Sequence, residues 1–332
     1  MRGLRLLLSV LLMAGCAMAQ TTLNGAGATF PNPIYSKWFS EFHKNHPDVA
    51  INYQSVGSGA GIRQLTAQTV DFGASDGPMT DQQLAEAKRP VFHIPTVLGS
   101  VAPAFNVSGV NELRFSGATL AGIYLGKITN WNDKAIAADN PGAKLPDKQI
   151  VVIHRSDASG TSYIWTDYLA KVSPEWNGGP GHGTAVKWPV GLGAKGNEGV
   201  AGMIRQMDGT IGYVELIYAL QNHINYGAVK NAAGQWVKAS LESTTAAAAG
   251  AKMPADFRVS ITNAPGANAY PISSFTWLLI PAQWSDQGKK KDMIDFLNWM
   301  LDSGEPMTAQ LDYAPLPKQV ADMVRAKIKE IR

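Results

Sequence analysis

The feature that most constrains the fold is a unit of short apolar strand, small-residue loop and amphipathic helix that recurs along the chain. Three copies follow one another early in the sequence, with loops at residues 25–31, 57–61 and 73–77. A fourth copy has its loop at residues 154–160. Before the second loop apolar residues alternate as in a half-buried strand, and after the first they follow helical spacing. This succession predicts an open α/β sheet whose loops gather where strands end and helices begin.

Two apolar stretches predict that the chain passes between two lobes. Residues 95–107 and residues 271–281 are long enough to carry the backbone across and back. Two such crossings imply that the first lobe is built from both ends of the chain. The predicted organisation is a signal peptide at 1–19, lobe I at 20–96 plus 270–332, and lobe II at 97–269.

The N-terminus is typical of a secretory signal peptide. Arg2 and Arg5 precede a short apolar run and then small residues, which predicts cleavage after Ala19 and export to the periplasm. The apolar run is too short to span a bilayer, which takes about 20 residues. An alternative is lipoprotein processing at Cys16, because the residues before this cysteine loosely resemble a lipobox.

Composition excludes several classes of function. Cys16 is the only cysteine, so cleavage after Ala19 leaves neither disulfides nor a thiol-based metal site. Six histidines offer little for a metal, and we expect neither a metal nor a cofactor. Without Arg2 and Arg5 the chain carries 27 basic against 26 acidic residues, which gives no reason to expect nucleic acid or membrane as a partner.

The four loops are candidate anion-binding sites. Each stands at a predicted helix N-terminus, where unpaired backbone N–H groups and the helix dipole attract a compact anion. Thr29, Ser58, Ser159 and Thr161 could add hydroxyl donors. For any single loop, ordinary helix capping by Ser or Thr is the simpler interpretation. Four similar loops favour an anion site.

Three charged residues in these loops sharpen the hypothesis. The planar fork of Arg155 matches two oxygens of a phosphate or carboxylate, although a surface arginine is the alternative. Asp157 either holds that guanidinium or caps the next helix. Asp76 would repel an anion unless the anion carries a proton to donate, as hydrogen phosphate does and sulfate does not. The alternative for Asp76 is a turn or cap residue.

Two motifs resemble enzyme signatures. Residues 73–77 fit G-x-S-x-G, which would make Ser75 the nucleophile of a hydrolase, but Pro78 interrupts the required passage from strand to helix. Residues 191–196 fit the dinucleotide-binding pattern G-x-G-x-x-G, but Pro189 precedes them and the helix is expected to start late. A hydrolase acting through Ser75 and a phosphatase using the same loops stay as alternatives.

Taken together, the loops resemble those of the PstS family, the periplasmic phosphate-binding proteins of phosphate-specific ABC transport systems. The resemblance spans essentially the whole chain after the signal peptide. Its most specific segments are residues 25–31, 57–59, 70–76 and 155–162, supported by residues 123–128, 191–199 and 212–215.

The resemblance implies a set of phosphate ligands. Asp76 would accept the proton of phosphate, and Asp157 would hold Arg155 in place. Ala158 stands where relatives often have glycine, which leaves the types of ligand unchanged. The implied phosphate-binding residues are Thr29, Phe30, Ser58, Asp76, Arg155, Ser159, Gly160 and Thr161.

The resemblance also implies a fold and partners. The expected α/β fold is the two-lobed, type II-like periplasmic-binding architecture, each lobe a mixed sheet flanked by helices, with the ligand cleft between the lobes. Closure around phosphate would let a monomeric receptor dock on a membrane permease whose ATPase subunits supply the energy. No catalysis is implied. A receptor for sulfate or another oxyanion is the alternative.

Overall fold

The computed structural model describes residues 20–332. The predicted signal peptide, its cleavage after Ala19 and the alternative lipidation at Cys16 lie outside the described residues. No helix within residues 20–332 is both long enough and apolar enough to cross a membrane.

The strands and helices alternate along much of the chain. The strands are β1 (Thr21–Gly27), β2 (Val49–Ser55), β3 (Phe72–Ser75), β4 (Val91–Asn106), β5 (Arg114–Phe115), β6 (Val151–Arg155), β7 (Leu192–Ala194), β8 (Thr210–Glu215), β9 (Asn225–Tyr226), β10 (Ala228–Lys230), β11 (Trp236–Val237) and β12 (Ser273–Pro281). The helices are α1 (Asn32–Asn45), α2 (Ser58–Thr66), α3 (Asp81–Glu86), α4 (Gly117–Tyr124), α5 (Lys134–Asp139), α6 (Gly160–Val172), α7 (Pro174–Gly178), α8 (Gly196–Gln206), α9 (Leu216–Gln221), α10 (Leu241–Ala248), α11 (Gln287–Trp299) and α12 (Lys318–Ile328), with a π-helical turn (Met300–Gly304) and a 3₁₀ helix (Glu305–Leu311) between the last two.

The long strand β4 joins two halves of one mixed sheet. Its residues 91–100 pair antiparallel with β12, and its residues 101–106 pair antiparallel with β8. The strand order is β2-β1-β3-β12-β4-β8-β6-β7, and β9 also pairs with β4. A separate small sheet has the order β11-β10-β5. The first apolar stretch of the sequence is therefore the strand that connects the halves.

The predicted strand–loop–helix units are present in both halves. β1 pairs in parallel with β2 and with β3, so their carboxyl ends and the loops that follow meet at one edge. In the other half, β6 pairs in parallel with β7 and β8, and α6 follows β6. The predicted α/β class is confirmed. The lobe boundaries given above stay a prediction.

An aromatic cluster ties the first helix to the end of the chain. The ring of Phe296 on α11 lies 5.2 Å from that of Phe39 and 5.4 Å from that of Phe42, both on α1. Trp299 packs edge-on against Phe42 at 5.6 Å. Because burial of such rings dominates core energetics, this contact fixes the C-terminal helices against the N-terminal unit.

Removing the central ring of this cluster should destabilise the protein. Phe296→Ala is expected to lower the free energy of unfolding by about 3–5 kcal/mol, since it deletes a buried ring and leaves a cavity. Denaturant titration measures this change. The control Lys318→Ala truncates a side chain that is 89% exposed and should shift stability by less than about 0.5 kcal/mol. Equal effects of the two substitutions would contradict the packing described.

Candidate functional site

The loops that follow β1, β2, β3 and β6 converge on one buried point. The hydroxyl oxygen of Ser58 accepts hydrogen bonds from the backbone N–H of Gly160 at 3.0 Å and from that of Asp76 at 3.2 Å. The backbone N–H of Gly59 donates to the carbonyl of Ala158 at 2.9 Å. The predicted site residues brought together and buried here are Thr29, Phe30, Ser58, Asp76, Arg155, Ser159, Gly160 and Thr161.

One edge of the Arg155 guanidinium is fixed by Asp157. Nε donates to Oδ1 at 2.7 Å and Nη2 to Oδ2 at 2.6 Å, and the backbone N–H of Gly196 also donates to Oδ1 at 3.1 Å. Burial of the Asp157 carboxyl raises its pKa, but the paired Arg155 more than offsets this, and the pKa lies below its usual value. The remaining atom, Nη1, lies 3.4 Å from Thr161 Oγ1 and faces the other loops.

Asp76 is the carboxylate of the site. Thr276 on β12 donates to its Oδ1 at 2.8 Å, and the Ser58 hydroxyl lies 3.5 Å from its Oδ2. Burial raises the pKa of Asp76 to about 7, although the Thr276 hydrogen bond, the charge of Arg155 and the Ser58 hydrogen bond act in the opposite direction. Near neutral pH this carboxyl can therefore be either ionised, and accept a hydrogen bond, or protonated, and donate one.

The hydroxyl groups of the site are committed as donors. Each hydroxyl oxygen already accepts a bond from an N–H group, which can only donate, so each hydroxyl proton is left for another acceptor. The bonds are those of Asn197 Nδ2 to Thr29 Oγ1 and Thr161 Oγ1, of the Gly160 N–H to Ser58 Oγ, and of the Ser162 N–H to Ser159 Oγ.

Four backbone amides complete the set of donors. The N–H groups of Thr29, Phe30, Ser58 and Thr161 have no hydrogen-bond partner among residues 20–332. They lie at or just before the N-termini of α1, α2 and α6, where such donors are unpaired within the helix. Neither α1 nor α2 has a side-chain cap, so the capping interpretation fails for the first two loops.

Capping does account for one hydroxyl of the fourth loop and for one that follows the third loop. Ser159 caps α6 through the N–H of Ser162, and Thr80 with Gln83 forms a reciprocal capping box at α3. Asp157, which bonds Arg155, does not cap α6. The converging donors and single carboxylate suit a compact oxyanion that itself carries a proton.

The enzyme-like motifs do not form their required geometry. Ser75 donates to the carbonyl of Gly77 at 2.5 Å and accepts from its N–H, and no histidine bonds Ser75 within the described chain. The expectation that the helix after the second motif starts late was wrong, because α8 begins at Gly196. However, residues 192–194 are strand β7, so the motif does not form a glycine loop between strand and helix.

Two buried residues of the site were missed by sequence reasoning. Asn197 contacts the threonines of two loops, and Thr276 holds Asp76. Asn197 directly follows the weak dinucleotide motif and lies in the supporting segment 191–199, but neither pattern marks it as a site residue. Thr276 lies in the fully buried strand β12, where a polar residue among apolar neighbours was the one available signal.

Known proteins resemble this chain in sequence and in fold. The family described as a PBP superfamily domain matches residues 14–304. The phosphate-binding protein PstS of Xylella fastidiosa is 46% identical over 308 residues, which cover 92% of this chain and 84% of the relative. The phosphate-binding protein PstS of Pasteurella multocida is 44% identical over 312 residues, covering 93% of this chain and 90% of the relative.

Solved structures support the fold. A high affinity periplasmic phosphate-binding protein bound with phosphate superposes with a TM-score of 0.75 at 23% identity, covering 92% of this chain and 93% of that one. A phosphate-binding protein from Stenotrophomonas maltophilia gives a TM-score of 0.69 at 20% identity with the same coverage. At such identities the likeness confirms the expected two-lobed architecture and nothing about the ligand.

Proposed function

The chain belongs to the PBP superfamily and, within it, to the PstS phosphate-binding proteins, and we propose that it captures inorganic phosphate in the buried site between its lobes. The observation that carries the proposal is the composition of that site. Four free backbone amides, three hydroxyl protons and one edge of Arg155 converge beside one carboxyl group, Asp76, to whose Oδ2 the Ser58 hydroxyl donates at 3.5 Å.

The donors supply the general affinity for an oxyanion. Backbone N–H groups at helix N-termini bind anions through direct hydrogen bonds and the helix dipole. Arg155 adds a charge-assisted bond, and Asp157 holds it so that little side-chain entropy is lost on binding. We propose that these bonds come from Thr29, Phe30, Ser58, Arg155, Ser159 and Thr161, and that Gly160, whose N–H donates to Ser58 Oγ, lines the site and orients that hydroxyl.

Asp76 supplies the selectivity. Its Oδ1 accepts from Thr276 at 2.8 Å, whereas Ser58 approaches its Oδ2 only to 3.5 Å, so Oδ2 is the oxygen that would accept the proton of hydrogen phosphate. Sulfate carries no proton at neutral pH, so it would place two unshielded negative charges together in a buried site. A site built for a ligand O–H strongly rejects an analogue that lacks it.

Closure of the lobes would surround the anion. Helix α6 approaches the first half of the sheet so closely that a Cβ on Gly160 would collide with Ser58 Oγ and Asp76 Oδ2. Gly57, with a φ of 95°, likewise faces Asp157 across the same contact. We propose that phosphate enters an open cleft and that the lobes then close by a hinge motion.

The proposed setting is the periplasm. Residues 1–19 would direct export and be removed, and the mature chain would act as a monomeric receptor. Once closed on phosphate, it would dock on the permease of an ABC importer, whose ATPase subunits drive transport. Catalysis has no place in this role, and the hydrogen bonds between Ser75 and Gly77 favour the receptor over a hydrolase.

Loss of the guanidinium should weaken phosphate binding. Arg155→Ala is expected to reduce affinity at least about tenfold, because it removes a charge-assisted hydrogen bond. Arg155→Lys keeps the charge without the fork and should give an intermediate loss. Calorimetry on the purified mature chain measures these affinities. Arg114→Ala, which changes an exposed arginine, is the control. Wild-type affinity in Arg155→Ala would remove this residue from the site.

Selectivity against sulfate should depend on pH through Asp76. A protonated Asp76 can donate to sulfate, and burial raises its pKa to about 7. Sulfate affinity should therefore rise by about tenfold as the pH falls from about 8 to about 6. In Asp76→Asn the amide donates at every pH, so sulfate binding should lose this dependence and the preference for phosphate should narrow.

Competition titrations with both anions test this selectivity across the same pH range. An Asp76→Asn protein with the wild-type ratio of phosphate to sulfate affinity would exclude the proposed role of Asp76.

A further inference from the structure

Asn197 occupies a position where both halves of the site meet. It lies in the first turn of α8 and is fully buried. Its side-chain Nδ2 is 2.8 Å from Thr29 Oγ1, in the loop after β1, and 3.1 Å from Thr161 Oγ1, in the first turn of α6. Its backbone N–H is 3.3 Å from the same oxygen of Thr29.

The orientation of the Asn197 amide is fixed by its environment. The atom on the other side of the amide lies 3.0 Å from the backbone N–H of Glu215. Because a backbone N–H can only donate, that atom must be the oxygen Oδ1, and the NH₂ group must face the two threonines. The two hydrogens of Nδ2 match the two hydroxyl oxygens, one for each.

This arrangement determines what the threonines can offer to a ligand. A hydroxyl group can accept or donate, and an unconstrained hydroxyl could turn its oxygen lone pairs toward an anion. With their oxygens accepting from Asn197, the hydroxyls of Thr29 and Thr161 have their protons free for the anion. Thr29 follows β1 in the first half of the sheet, and Thr161 lies in α6, which follows β6 in the second half.

We propose that Asn197 is a positioning residue for anion binding: it fixes the hydroxyls of Thr29 and Thr161 as donors and links them across the closed cleft. This inference rests on the proposed function, because it describes how the same site recognises its oxyanion. Asn197 acts through the threonines and does not itself touch the anion.

The neighbouring contacts of α8 give Asn197 a rigid base. Gly196, one residue earlier, donates its N–H to the carboxylate of Asp157 that holds Arg155. Tyr218 on α9 donates to the carbonyl of Thr29 at 2.6 Å. The start of α8 therefore positions the guanidinium of one loop and the hydroxyl of another at the same time.

A double-mutant cycle tests the inference by phosphate titration of the mature chain. Asn197→Ala should weaken phosphate binding by about 10–100-fold in the wild-type background. In a Thr29→Val, Thr161→Val background, which has no hydroxyls to orient, the same substitution should cost less than about threefold. A general structural role would instead give the same loss in both backgrounds and would overturn the proposal.

A shape-conserving variant gives a second readout. Asn197→Asp replaces the two N–H donors by an oxygen that would draw the threonine protons away from the anion, and it should bind phosphate more weakly than Asn197→Ala. If Asn197 mattered only for packing, this near-isosteric change would be the milder one. Asn140→Asp makes the same change at a buried asparagine remote from the loops and should leave phosphate affinity unchanged.

The outcomes separate the inference from the proposed function. Phosphate binding by the wild type together with unchanged affinity in Asn197→Ala would overturn the inference alone. Absence of phosphate binding by the folded wild type would overturn both. Thermal unfolding would reveal whether Asn197→Asp folds. If it does not, the double-mutant cycle with Asn197→Ala still tests the inference.

Discussion

The closed arrangement of this protein depends on a group of hydrogen-bond donors that the chain buries without giving them acceptors of its own. The N–H groups of Thr29, Phe30, Ser58 and Thr161 have no partner among residues 20–332, and buried polar groups left unpaired are costly. In the proposed function, an oxyanion at this point would supply acceptors for all of them at once. Anion binding and the proposed lobe closure are therefore coupled: the anion would favour the closed arrangement by as much as it binds that arrangement more tightly than the open one.

The charged groups of the site add selectivity to this general affinity for oxyanions. Asp157 neutralises and orients one edge of Arg155, so the guanidinium presents a fixed donor. Asp76 is held by Thr276 at one oxygen and is buried enough for its pKa to reach about 7. A carboxyl group with such a pKa would suit a phosphate ion, because the second pKa of a phosphate group also lies near neutrality, at about 6 in phosphorylated side chains. In the proposed function, the proton shared between Asp76 and phosphate would distinguish phosphate from sulfate.

The sequence predicted local features well and distant contacts poorly. Periodicity gave the strand–loop–helix units, because each unit is short and its pattern is local. The pairing of Arg155 with Asp157 was within reach because two residues separate them. Asn197 and Thr276 were missed because their partners Thr29 and Asp76 lie 168 and 200 residues away. The late start expected for α8 was also wrong, since Gly196 adopts a φ of 72° that opens the helix directly after β7.

A crystal structure of the mature chain with phosphate tests the central claim most directly. The account predicts a phosphate ion within hydrogen-bond distance of the four free amides and of Arg155 Nη1. One phosphate oxygen should lie about 2.5–2.7 Å from Asp76 Oδ2, the distance of a charge-assisted O–H···O bond. Phosphate bound elsewhere, or bound here with no oxygen within about 3.2 Å of Asp76, would contradict the account.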